Sequence, residues 1–414
     1  SHKLSLLAPL ARNSFLRHNP CMRRHFHAMK NGSDSAWIAE QATALGFDLC
    51  GVVRAEKFPE LSRTEEWLAR GYAGEMKYLS DERRTNPQRV MPGLRSVIVC
   101  ALNYNIAAPR STDALQQDTA EPRGWISRYA WGQDYHEVLQ QKLGTLASAL
   151  SERFAEPFEA RVYADTGPLH ERVFARHAGL GWLGKNTLLL NPKLGSWFFL
   201  GVILTTLDIP PTLGPAESPP PDLCGSCTKC LDACPTGALV EPYVMDARLC
   251  ISYLTIELRG SIPENLREPM SRHVFGCDIC QDVCPWNRRA PVAQAEEFQP
   301  RTFPQDIESQ TPISASTPAE GPAPSPERES LFLPRLEWLA AMTESQFRAL
   351  FGGSPIKRTK WRGLVRNACI ALGNSKPVRG TSHHHRICAL LTHLSASPEP
   401  FVAESAHWAL SRIQ

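Results

Sequence analysis

No stretch of this chain approaches the roughly eighteen consecutive apolar residues that a membrane-spanning helix needs, and none forms the h-region of a secretory signal. Acidic residues are missing altogether before Asp34. The first 33 residues instead carry Lys3, Arg12, Arg17, Arg23, Arg24 and Lys30, a composition that fits an organellar transit peptide or a leader ahead of an internal start at Met29. The expected location is the cytoplasm, or an organelle if that extension directs import, and no membrane is expected. A surplus of charge is missing too: 45 basic against 42 acidic residues leave +3, so a polyanionic partner must meet a local patch. With 414 residues, 43% of them hydrophobic, the chain can bury one large core or two ordinary ones and needs no disulfide staples.

Cysteine is not scarce. Of thirteen, Cys21, Cys50, Cys100, Cys369 and Cys388 are scattered and read as small hydrophobes, while the rest crowd between Cys224 and Cys284. Cys224, Cys227, Cys230 and Cys234-Pro235 spell C-x2-C-x2-C-x3-C-P, the bacterial ferredoxin run, in which three thiolates wrap one iron–sulfur cube and the fourth serves its neighbour. Cys277, Cys280 and Cys284-Pro285 repeat it one cysteine short, and Cys250 supplies the missing ligand. Two [4Fe-4S] clusters follow, one on Cys224, Cys227, Cys230 and Cys284, the other on Cys234, Cys250, Cys277 and Cys280. Zinc is the alternative for paired C-x2-C text, but the middle thiol of C-x2-C-x2-C has no place on one tetrahedral ion.

Ahead of this module, strand-like text at 47–54, 96–102, 159–164 and 198–206 alternates with helical spacing at 37–45, 64–70 and 135–154. The pattern predicts an α/β (or α+β) domain over 34–221 with a ligand site at strand ends. A proline-rich stretch at 209–221 closes it, and the cluster module covers 222–290. The low-complexity text PISASTPAEGPAPSPERE (312–329) predicts a disordered insert over 309–330. Beyond it, 331–414 reads as helical, with candidate helices at 333–350, 360–372 and 386–394 that can stack as a short solenoid.

Asp165 stands just past a predicted strand, either as a cap for Gly167-Pro168-Leu169 or as an acid in a site. His136 reads as a capping or packed histidine or as part of a polar group with Arg128, Tyr129, Asp134 and Tyr135. Gly179, Gly181 and Gly184 lie too close to Lys185 for a Walker A loop, and Asn186 stands where its hydroxyl residue should be. Their expected use is close backbone approach to a cofactor. Lys357, Arg358, Lys360, Arg362 and Arg366, with Trp361 among them, form an acid-free basic run. It is either a solvated face or a phosphate-docking one with an aromatic to cover a sugar or base.

The segments RYAWGQDYH (128–136), YADTGPLHERVFARHAGLGWLGKNTLLL (163–190), the cysteine module and GSPIKRTKWRGLVRNACIALGN (353–374) resemble epoxyqueuosine reductase, whose family completes a tRNA modification. The likeness runs from about residue 35 to 394, the insert excepted. It implies a cobalamin-binding α/β core, related to that of reductive dehalogenases, and a C-terminal HEAT-like region that binds the tRNA anticodon stem-loop. The reaction implied is two-electron removal of the epoxide oxygen of epoxyqueuosine at the wobble position. By the same resemblance Asp165 is the proton donor. Arg128, Tyr129, Asp134, Tyr135, His136, Arg172, Lys185 and Asn186 line the cofactor pocket, and the basic run from Lys357 to Arg366 meets tRNA. The Asp-x-His-x-x-Gly text by which many proteins ligate cobalamin from below is absent, as this family's base-off cofactor implies. A small electron-donor protein such as ferredoxin or flavodoxin and a monomeric state are also expected.

The alternative is a dehalogenase-like cobalamin and iron–sulfur reductase of a small substrate. The Arg23-Arg24 pair invites comparison with a twin-arginine export signal, but 26–35 is polar and the basic C-terminal run would have no purpose. A plain ferredoxin-type carrier would leave the domain ahead of the clusters unexplained.

Overall fold

A computed structural model describes residues 33–116, 121–304 and 328–414. Cys21, the N-terminal extension and positions 309–327 of the expected insert lie outside them. Among the described residues no helix is long and apolar enough to cross a membrane.

The N-terminal domain is built on four strands, β1 (Leu49–Arg54), β2 (Ser96–Asn103), β3 (Ala160–Tyr163) and β4 (Phe198–Thr205), in the order β1-β2-β4-β3. Strand β2 is buried along its whole length, and its alternate residues serve two cores. Ile98, Cys100 and Leu102 face one, with Val52, Phe199 and Ile203; Val97, Val99 and Ala101 face the other, with Val53, Val202 and Leu204. Around the sheet run α1 (Asp34–Ala44), α2 (Pro59–Ala69), α3 (Tyr135–Arg153) and α4 (Glu171–His177). Helix α3 lays Val138, Leu139, Leu143, Leu146 and Leu150 on the first face, a spacing of three and four residues that makes one apolar stripe. Gly201 admits this contact, since a Cβ there would stand 2.5 Å from Leu143.

Every pairing in this sheet is antiparallel. The alternation of helices and strands predicts an α/β or α+β domain and leaves strand direction open. Periodicity identifies elements, and a long connection can return the chain to either end of a strand. The fold is mixed α/β with an antiparallel sheet covered on both faces.

The cysteine module joins this domain through a parallel pairing of Trp125–Ile126 with His273–Phe275. Asp278, wholly buried, binds them together by accepting from Trp125 Nε1 at 3.0 Å, from the Arg128 amide at 2.8 Å and from the Ser127 hydroxyl.

At the C-terminus the expected helix over 333–350 is two, Leu336–Ala340 and Glu344–Phe351. Thr343 and Gln346 form a capping box that starts the second afresh. Helices Lys360–Asn374, Ser382–Ser395 and Pro400–Ile413 follow, the last unforeseen although Pro400 occupies its first turn. The insert expected over 309–330 ends sooner: Arg328–Ser330 pairs with Thr302–Pro304, and Glu329 is buried against Arg335.

Candidate active site and cysteine module

Asp165 follows β3 with a φ of 59°, a left-handed conformation uncommon outside glycine. Three contacts hold it. Its amide donates to Glu171 Oε1 at 2.9 Å, its Oδ2 accepts from the Tyr135 hydroxyl at 2.9 Å, and His136 Nε2 stands 3.6 Å from the same oxygen. The Asp165 side chain is 66% exposed, so the carboxylate is open to a ligand. Tyr135 lies flat on Phe199 of β4, with ring centroids 4.3 Å apart, so the sheet fixes the direction of its hydroxyl.

His136 is gripped from the other side. Its Nδ1 lies 2.6 Å from Asp134 Oδ1, and Asp134 Oδ2 accepts from Lys357 Nζ at 2.9 Å. Asp134 also caps α3 through the His136 amide, which explains why an acid stands at this helix start. Burial would lower the imidazole's pKa, but hydrogen bonds to Asp134 and Asp165 outweigh it and raise the value to about 9. Burial likewise pushes both carboxyls up, and the bonds from His136, with Lys357 on Asp134 and Tyr135 on Asp165, hold each at about 2. Glu171 shows the reverse: burial first, then the Asp165 charge, lift its carboxyl to about 8. At neutral pH the cluster therefore holds a proton on His136 and another on Glu171 and leaves Asp165 ionised.

The rim adds residues that the sequence reading missed. Tyr78, partly exposed, lies between the guanidiniums of Arg84 and Arg358, 5.5 and 5.3 Å from its ring centre, and Arg358 also pairs with Glu257. A lone tyrosine in a polar loop carries no periodic signal. Glu171 was quoted within a motif but given no role.

Several expected site residues lie elsewhere. Arg128 is only 3% exposed; its guanidinium binds the carbonyls of Ile106, Ala108 and Pro109 between the rings of Trp131 and Trp197, so it faces the core and not a pocket. Lys185 donates to the carbonyls of Gly225 at 2.6 Å and Cys227 at 3.0 Å, and buried Asn186 reaches the Cys280 carbonyl at 3.4 Å. Both tie the domain to the cysteine loops. Arg172 donates to the Thr187 carbonyl at 2.7 Å. The glycines serve packing: a Cβ on Gly181 or Gly184 would stand 2.0 or 2.1 Å from Leu190 of the neighbouring strand, not against an open cradle. In the basic run, Arg366 is fully buried and binds the carbonyls of Leu254, Leu258 and Gly260, so it cannot touch tRNA. The Trp361 indole donates to the Met342 carbonyl at 2.5 Å, which removes it from any base-covering role. Lys357 belongs to the acid cluster, while Arg358, Lys360 and Arg362 remain exposed.

The eight module cysteines are free thiols that fall into two neighbourhoods. Burial raises each thiol that shifts, and the secondary influences name the neighbours. Cys284 feels Cys224 and Cys227, and Cys230 feels Cys284 and Cys224. Cys250 feels Cys234, Cys277 feels Cys250 and Cys280, and Cys280 feels Cys250, Cys230 and Cys234. Among the described residues no three His, Cys, Asp or Glu groups converge tightly enough for a single ion. These neighbours match the two expected quartets, with Cys230 reaching Cys280 across them, and the middle thiol of C-x2-C-x2-C suits a cube better than zinc. Tyr129 links this module to the acid cluster, 6.0 Å from the Tyr135 ring and close beside Gly276, which precedes Cys277.

Comparison with known proteins agrees with this architecture. Residues 223–287 match the family model "4Fe-4S double cluster binding domain", and residues 84–166 match "Epoxyqueuosine reductase QueG, DUF1730". The epoxyqueuosine reductase of Gloeobacter violaceus is 41% identical over 356 residues, covering 84% of this chain and 99% of that protein. A crystal structure of epoxyqueuosine reductase with a tRNA-Tyr epoxyqueuosine-modified stem loop superposes with a TM-score of 0.75 at 31% identity, covering 91% of this chain and 89% of that one. The Bacillus subtilis enzyme, solved with its catalytic aspartate loop swung out of the active site, gives 0.73 at 30% identity, covering 91% and 90%. On this sequence identity and coverage, joined to a matching fold and a double-cluster module, the chain belongs to the epoxyqueuosine reductase family.

Proposed function

We propose that this chain removes the epoxide oxygen of epoxyqueuosine at the wobble position of tRNA, using two [4Fe-4S] clusters and cobalamin. The observation that carries the reading is the open Asp165 carboxylate, braced by Tyr135 and His136 a short step from the cysteine module. The reaction consumes two electrons and two protons, breaks both carbon–oxygen bonds of the epoxide and yields a carbon–carbon double bond and water.

The chain's own residues supply the proton path. His136 holds a proton at neutral pH, and the exposed Asp165 carboxylate stands 3.6 Å from it. As the epoxide opens, the His136 proton passes through Asp165 to the developing alkoxide, and solvent supplies the second proton by recharging His136. A bound substrate that shuts water out would raise the Asp165 pKa and favour this relay. Tyr135 aims the carboxylate, and the Glu171 contact holds its loop. That a relative's catalytic aspartate loop is found swung out supports assigning chemistry to a loop of this kind.

The thiol quartets Cys224, Cys227, Cys230, Cys284 and Cys234, Cys250, Cys277, Cys280 would each hold one cluster. Tyr129, Tyr135 and Arg172, which neighbour the open Asp165 carboxylate, would hold cobalamin, and when bound it would supply the strongly reducing centre that carbon–oxygen cleavage needs. Arg358, Lys360 and Arg362 would meet the stem-loop phosphates, with the helices from Lys360 to Ile413 as a HEAT-like platform. The modified base must leave the loop to reach Asp165.

The test is an anaerobic assay of cluster-reconstituted protein on epoxyqueuosine-containing tRNA with a strong reductant, with and without cobalamin, read by nucleoside mass spectrometry. Loss of one oxygen only with cobalamin is expected. No turnover from protein loaded with both clusters and cobalamin would sink the assignment.

A further inference from the structure

A redox module needs an entrance, and electron transfer weakens so steeply with distance that a donor must dock where the clusters come nearest the surface. Two open cavities border the cysteine loops. The larger, about 750 Å³, abuts Pro235 and is walled by Glu264, Glu268, Trp408 and Arg412, with Arg412 neutralised by Glu268 at 3.0 Å. The second, about 510 Å³, lies between the two C-x3-C-P loops. Its lining includes Lys229, directly before Cys230, Ala233, directly before Cys234, and Val283, directly before Cys284. Ligand positions of both quartets therefore border this one groove.

Charge separates the two cavities. The second is lined by Arg110, Lys229 and Arg288 against Asp113, Asp232 and buried Asp282. Asp282 is occupied by the Ser111 amide and hydroxyl, and Asp232 accepts from Thr228 at 2.8 Å. Arg110 rests on the carbonyls of Asp282 and Asn287. Lys229, Arg288 and neighbouring Arg289 are exposed and, among the described residues, form no ion pair; exposed Asp113 and Asp232 form none either and offset two of them, which leaves the rim net positive. Unpaired cations around a groove attract an acidic surface and speed its encounter. The acidic walls of the larger cavity would repel one.

We infer that the groove between the two C-x3-C-P loops is the docking site of an acidic one-electron carrier protein. Each docking oxidises the carrier by one electron and reduces one cluster by one, and two dockings supply the electron pair of the proposed reaction. The inference rests on the iron–sulfur reading of the module and not on the identity of the substrate.

The experiment uses holoprotein with oxidised clusters and no tRNA, mixed anaerobically with a reduced flavodoxin while the bleaching of cluster absorbance is followed. Reduction should slow about ten-fold between low and high salt, and about ten-fold in a Lys229→Glu/Arg288→Glu variant. Reduction of that variant by dithionite, which needs no docking surface, should stay within about two-fold of the parent, with iron content unchanged. Carbodiimide should cross-link the carrier to Lys229 of the unaltered holoprotein. An unchanged rate with flavodoxin, an equal loss with dithionite, or cross-links confined to other faces would overturn the inference.

Discussion

Lys357 Nζ stands 2.9 Å from Asp134 Oδ2, across 223 residues of sequence, and joins the C-terminal basic run to the acid cluster of the N-terminal domain. Asp134 is almost wholly buried, with 1% of its side chain exposed, so each of its two cationic partners matters. Replacing Lys357 with Gln should lower kcat about ten-fold while changing tRNA affinity less than about three-fold. Single-turnover rates beside filter-binding constants check this. A uniform loss of affinity, with the salt slope reduced by about one, would instead mark Lys357 as a phosphate contact.

The rate should fall as pH rises through about 9, where His136 loses its proton. Because its folded pKa lies above the ordinary 6.5, the stability it contributes is complete below about 6.5 and lost as pH climbs through about 9. Asp134 and Asp165, held at about 2, contribute stability that is complete above 3.8 and lost as pH falls toward 2. Denaturation midpoints measured across pH in the parent and in His136→Gln should converge above pH 9.

Glu171 accepts the amide of Asp165, which occupies a strained backbone conformation. Glu171→Gln keeps a carbonyl oxygen there and should retain most activity. Glu171→Leu should lose about ten-fold in kcat and quicken amide exchange over 164–168. Equal rates for the two variants would remove Glu171 from the positioning of Asp165.

Arg366→Leu should destabilise the fold by about 3 kcal/mol, because it strips the buried Leu254 carbonyl and the part-buried carbonyls of Leu258 and Gly260 of their donor. Exposed Lys360→Ala should leave stability within about 0.5 kcal/mol and lower the salt slope of tRNA binding by about 0.7. Urea denaturation and a salt titration distinguish the two effects.

Cys250→Ser should reduce bound iron from about eight to about four atoms per chain, since it removes a ligand from one quartet only. Cys388→Ser should leave iron unchanged. Iron analysis with electron paramagnetic resonance of the reduced protein checks both, and full iron in Cys250→Ser would return the fourth ligand to another residue.

Much was legible because it is local. The ferredoxin run sets eight thiols within 61 residues, and cluster ligation depends on loop spacing that the chain itself dictates. Asp165 was legible as a cap or an acid because it stands just past a strand, and the resemblance favoured the acid; the cap of α3 falls on Asp134, where the text offered His136. Misreadings fell on charged residues. Arg128 reads as a pocket residue and Arg366 as a phosphate contact, yet both are interior and held by backbone carbonyls that come from distant segments.

By itself the sequence determined the family, the double-cluster module and the alternation of helices and strands, since spacing and periodicity act over a few residues. Only the tertiary structure decided that the sheet is antiparallel, that Lys357 enters the acid cluster, and that a proton rests on His136 while Asp165 stays ionised. Strand direction, burial and pKa depend on which remote segments come together, and packing alone brings Tyr135, His136, Asp165, Glu171 and Lys357 into one cluster.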